Sequence, residues 1–113
     1  MLPAKYRLRQ AENFQKIYRR GQYYFSAAAT LKFLPNQKEF SRFAFVVAAK
    51  VAKSVARNRV RRQLSEIMRH ERAHIRAGFD IIVIVKKALV ALDYAEKKKN
   101  ILGLLTKARL WRE

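Results

Sequence analysis

Residues 50–62 read Lys-Val-Ala-Lys-Ser-Val-Ala-Arg-Asn-Arg-Val-Arg-Arg, with six basic side chains and no acid. The chemistry such a run can do is the binding of phosphate. Arg predominates over Lys, and a guanidinium fork matches two phosphate oxygens and stacks on nucleic-acid bases. Asn58 adds a donor and an acceptor that neither basic residue supplies. At 100° per residue, Ala56, Val60, Leu64 and Ile67 fall on one helix face, with Val55 and Met68 at its edges. Asn58, Arg61, Arg62, Ser65 and Arg69 lie opposite, while Arg57 and Arg59 flank the stripe. Solvated helix faces usually mix signs, so that acid and base pair at i, i+4. Here the first acid is Glu66. Cations stacked at a helix N-terminus also oppose its dipole. An external phosphate partner explains both features.

Other chemistry finds less support. His70 and His74 have the i, i+4 spacing of two metal ligands on a helix, but no third ligand matches them. A solvated pair is expected, and no metal site is assigned. The eight carboxylates are scattered, with Glu66 and Glu71 in the basic helix and Asp93 and Glu96 at a helix start. None forms a pair suited to acid/base or two-metal work. There is no Gly-rich phosphate loop and no Ser/His/Asp set. The absence of Cys removes thiol nucleophiles, disulfides and Cys-ligated zinc. No catalytic residue is assigned, and the chain by itself is expected to be neither an enzyme nor a cofactor carrier. Phe14, Ile17 and Tyr18 share one face of an earlier helical segment. They read as core or as the wall of a groove where bases stack.

These residues need a scaffold to position them. The chain has 113 residues, 26 Lys and Arg against 8 Asp and Glu, and a formal charge of +18. Half of it is hydrophobic, enough for one modest core and one domain spanning residues 1–113. The longest apolar run, residues 43–49, is too short to cross a bilayer, and no secretion signal is seen. An intracellular, cytoplasmic domain is expected. The first helix covers residues 11–20, with Gly21 placed to end it in a left-handed conformation. Strands follow at 28–34, with Leu31 and Phe33 on one face and Thr30 and Lys32 on the other, and at 43–49. A short strand fits at 23–26. The two main strands suggest a sheet covered on one side only. The basic helix runs over 54–77, with Ser54 as N-cap and Gly78 as terminator. Residues 79–85 read as a buried central strand, and 93–109 as a last helix capped by Asp93. The order α-β-β-β-α-β-α describes an α+β fold, a single α-β sandwich domain.

Charge alone does not separate RNA from DNA, and an anionic membrane surface is a distant alternative. Ribosomal or other structural RNA-binding proteins, DNA-binding proteins and nucleases all stay open on the residues. The motif Arg57-Asn58-Arg59-Val-Arg61-Arg62 with its lead-in from Lys50, however, resembles the signature of the protein subunit of bacterial ribonuclease P. Arg7-Leu8, then Asn13-Phe14 through Tyr18 and Gly21, is similar to that family's first helix, and residues 79–86 to its buried strand. Ala52 stands where the family often has Gly.

The resemblance implies a fold like the second domain of a small-subunit ribosomal protein, with a left-handed βαβ crossover. It implies a catalytic RNA partner that needs Mg2+, precursor tRNA as the second partner, and no membrane or DNA. Lys53, Arg57, Asn58, Arg59, Arg61, Arg62 and Arg69 would meet the catalytic RNA. Phe14, Tyr18, Thr30, Lys32 and Lys86 would line a cleft for the 5′ leader of precursor tRNA, whose endonucleolytic removal the subunit assists.

Overall fold

A computed structural model describes residues 2–112. Helix α1 spans Ala11–Arg20, followed by β1 (Gln22–Phe25), β2 (Ala29–Pro35) and β3 (Arg42–Val46). Helix α2 covers Ser54–Glu71, then come β4 (Phe79–Val85), a single turn α3 (Lys87–Val90) and α4 (Tyr94–Lys107). The four strands form one sheet in the order β1-β2-β4-β3. β1, β2 and β4 pair antiparallel, and β3 pairs parallel to β4 through the α2 crossover. The α+β order expected from the sequence is the one observed, with α3 added.

Strand alternation sorts the apolar side chains into two clusters. Leu31, Phe33, Phe43, Ile81 and Val83 face α2 and α4, where Val60, Leu64, Ile67, Ile101 and Leu105 complete the main core. The intervening residues face the other way. There Leu8, Ile17, Ala44 and Ile82 make a second, smaller buried cluster with Phe14, Leu34, Val46 and Ile84 at its margin. The sheet is therefore not covered on one side only. Ile17 is the buried residue of α1 and seats the helix on Leu8, Ala44 and Ile82.

Three helix ends depart from expectation. Gly21 is extended (φ −72°, ψ 155°), because the chain passes directly from α1 into β1. Its glycine is required by space: a Cβ would stand 2.5 Å from the Ile17 carbonyl oxygen and 2.8 Å from that of Phe33. Helix α2 stops at Glu71 rather than 77, followed by a 3-10 turn at Arg72–His74. Ile75 continues the helical period of Met68, which hides the break, but it is buried as part of a bridge to Trp111. Gly78 (φ 91°) shapes the entry to β4. Lys53, not Ser54, is the N-cap of α2, without a side-chain cap. Asp93 caps α4 as expected, its carboxylate accepting from the Glu96 N–H at 2.9 Å.

At the start of β3 and β4, Asp80 is buried and accepts two hydrogen bonds from Arg42, at 2.8 and 2.7 Å, and one from Asn36 at 2.9 Å. This locks β3 to β4 at one end of the α1-bearing face.

Candidate nucleic-acid interface

Helix α2 packs on the main core through Val60, Leu64, Ile67 and Met68, which turns its polar side toward β3 and the N-terminal segment. That segment is fixed by the Leu8 N–H, which donates to the Phe43 carbonyl at 2.8 Å. Between them lies a groove of about 550 Å³. Leu8, Phe14, Phe43, Ala44 and Phe45 form an apolar floor, and Arg9, Asn58, Arg61 and Arg62 stand around it. An apolar floor with cations around it suits bases below and phosphates above.

The basic segment keeps its charge for outside partners. Among the described residues, none of its six cations pairs with a carboxylate. Two are held internally by neutral acceptors: Arg57 Nη1 donates to the Ala52 carbonyl at 2.8 Å, and Arg61 Nη1 to Asn58 Oδ1 at 2.9 Å. Arg57 thereby ties the lead-in loop to the first turn of α2. Ala52 does not have the left-handed backbone that would demand Gly there. Arg69 differs. It donates to Glu66 at 2.9 Å and holds that carboxyl down at about 2, well below the ordinary carboxylate range. Its charge is spent locally.

A second feature runs across the α1 side of the sheet. The Phe14 and Tyr18 rings lie 6.5 Å apart. Lys32 Nζ sits 5.1 Å from the Tyr18 ring, within cation–π range. On β2, Thr30 and Lys32 alternate with buried Leu31 and Phe33, so they face this side. Lys86 Nζ donates to the Ser26 carbonyl at 2.7 Å and lies 5.2 Å from the Phe25 ring.

The ribonuclease P family model matches residues 2–109. The chain belongs to the ribonuclease P protein family. It is 36% identical over 104 residues to the ribonuclease P protein component of Alkaliphilus oremlandii, covering 92% of this chain and 91% of that one. It is similar in structure to the RNase P protein from Thermotoga maritima, with a TM-score of 0.83 and 31% identity over 89% of this chain and 96% of that one. The RNase P protein of Staphylococcus aureus, at 23% identity, shares the fold with a TM-score of 0.88, over 95% of this chain and 98% of that one.

The residues expected from the sequence to meet RNA are not divided as expected. Asn58, Arg61 and Arg62 share one groove with Phe14, which the sequence had placed in the other group. Arg57 flanks that groove from the lead-in loop, Lys53 caps α2 in the open, and Arg59 is exposed. Tyr18, Lys32, Thr30 and Lys86 gather farther along the sheet. Ser65, assigned to the far face of the helix, is buried at the groove wall. Val55, placed at the edge of the apolar stripe, is 76% exposed. Sequence reasoning missed Arg9 as a groove residue, although the alternation Arg7-Leu8-Arg9 around one buried Leu signals it. It also missed Tyr23 and Phe25, both exposed on β1.

His70 and His74 do not converge. His70 lies 3.4 Å from Glu66, and His74 stacks on Trp111 with centroids 5.1 Å apart. No cluster of three or more His, Cys, Asp or Glu side chains occurs among the described residues. No helix among them is long and apolar enough to cross a membrane.

Proposed function

We propose that this chain is the protein subunit of a ribonuclease P holoenzyme, acting in the cytoplasm on precursor tRNA. It binds the catalytic RNA through Lys53, Arg57, Asn58, Arg59, Arg61 and Arg62. It binds the 5′ leader of precursor tRNA along Phe14, Tyr18, Thr30, Lys32 and Lys86. Arg69 takes a lesser part, since Glu66 already neutralises it. One observation carries this reading: Asn58, Arg61 and Arg62 on the acid-free face of α2 and the Phe14 ring of α1 border the same groove.

The chain's own residues bind and orient. The guanidinium groups at the groove meet phosphates of the catalytic RNA and release their counterions. The rings of α1 hold leader bases by stacking, which mature tRNA, lacking a leader, cannot use. That difference favours substrate over product. The positive surface also screens repulsion between two polyanions and so lowers the divalent-ion requirement. Mg2+ belongs with the RNA, because a groove bordered by guanidinium groups offers a hard cation few oxygen donors. When bound there, it supplies the activation of water for hydrolysis at the scissile phosphate.

The test is processing of precursor tRNA by the catalytic RNA at low Mg2+, with and without this chain. Strong stimulation is expected. No stimulation refutes the proposal and favours a ribosomal or other structural RNA-binding role, while cleavage by the chain alone would make it a nuclease.

A further inference from the structure

On the free edge of the sheet, Tyr23 and Phe25 project from the same side of β1 and are 60% and 61% exposed. Their rings are stacked, with centroids 6.4 Å and planes 23° apart. Core packing does not explain them. Tyr24, between them, makes the inward contact of β1 by stacking on Phe33. A cation stands beside each exposed ring: Lys32 Nζ is 5.7 Å from Tyr23 and Lys86 Nζ 5.2 Å from Phe25. Neither lysine pairs with a carboxylate among the described residues. Lys32 also touches the Tyr18 ring, so rings and cations continue without a break from Phe14 and Tyr18 to the edge of the sheet.

Exposed rings alternating with lysines that have no carboxylate partner among the described residues match one kind of occupant, an unpaired polynucleotide, whose bases stack while its phosphates meet the cations. A second copy of the chain would bring its own +18 against these lysines. We propose that Tyr23 and Phe25 are a stacking platform for about two further unpaired bases of the RNA strand that passes Phe14 and Tyr18. It rests on the leader reading above and assigns the platform to leader nucleotides farther from the cleavage point.

The experiment measures binding of the assembled holoenzyme to precursor tRNAs whose leaders lengthen one nucleotide at a time. The wild type should gain affinity until the leader covers the platform. Tyr23→Ala/Phe25→Ala should reach its plateau about two nucleotides earlier, with a loss of roughly 30-fold or more for long leaders and none for the shortest. Tyr23→Trp/Phe25→Trp should restore the long-leader affinity. An equal loss at every leader length, or no loss at any, overturns the platform. So does a wild-type dimer in sedimentation that the double Ala variant abolishes while its leader profile stays unchanged. If the wild-type holoenzyme ignores leader length, the leader reading fails instead. Binding of a single-stranded oligouridylate to the chain alone then decides the platform, which stands only if the double Ala variant loses that binding.

Discussion

Replacing Arg62 and Arg57 separately by Ala tests whether the α2 cations serve an external polyanion. Arg62 is exposed at the groove and has no hydrogen-bond or ion-pair partner among the described residues. Its removal should leave stability within about 0.5 kcal/mol of wild type, as for an exposed side chain that touches nothing. Each lost phosphate contact should lower the slope of log affinity against log salt by about 0.9. Between about 50 mM and about 200 mM salt, the affinity deficit of Arg62→Ala should therefore shrink roughly 3-fold. Arg57→Ala should behave differently, because its guanidinium also holds the Ala52 carbonyl at 2.8 Å. Losing that charged hydrogen bond costs about 1.5 kcal/mol and about 5 °C in Tm. Filter binding to the catalytic RNA across a salt series, with thermal melts of the free chain, measures both quantities. The reasoning is refuted if Arg62→Ala lowers Tm as much as Arg57→Ala, or if its affinity deficit does not change with salt.

Phe14→Ala removes a half-buried ring from the small second cluster and should cost about 2 kcal/mol of stability. Below the melting transition it should still weaken precursor tRNA by about 1–3 kcal/mol while leaving mature tRNA unchanged, and equal losses for both would make Phe14 purely structural. Gly21→Ala places a methyl against two backbone carbonyls and should cost about 2–3 kcal/mol, read as a fall in Tm with loss of amide-exchange protection in α1. Lys97 is buried, its Nζ donating to the Leu92 carbonyl at 2.6 Å, and burial pushes its pKa below the ordinary 10.5, with the nearby Arg59 charge adding to the effect. The unfolded chain then holds this proton more tightly than the folded one, so stability should rise as pH climbs toward 10.5. Chemical denaturation across that alkaline window should show the rise in wild type and not in Lys97→Met.

Elements with strong periodicity were legible in the chain. The β-branched run Phe79–Val85 and the helix Ala11–Arg20 are observed with the expected bounds, and Asp93 caps α4. What escaped depends on contacts between distant segments. The end of α2 is hidden because Ile75 stays in helical phase while serving a bridge to Trp111. Gly21 reads as a left-handed terminator, yet the carbonyl of Phe33, twelve residues on, is what excludes a side chain there. The basic face of α2 was plain from its missing acids. That it shares a groove with Phe14 and Arg9 follows from the pairing of the Leu8 segment with Phe43, which no local pattern records.

The two buried clusters are unequal, and the inequality divides the molecule mechanically. Helix α2 is seated on the large core, whereas α1 rests through Ile17 on Leu8, Ala44 and Ile82. Local opening follows buried apolar contact, so α1 should yield first and α2 last. One jaw of the groove is thus stiff and the other compliant. A stiff jaw suits a permanent grip on a structural scaffold, and a compliant one suits a strand that changes in sequence and must leave after every turnover.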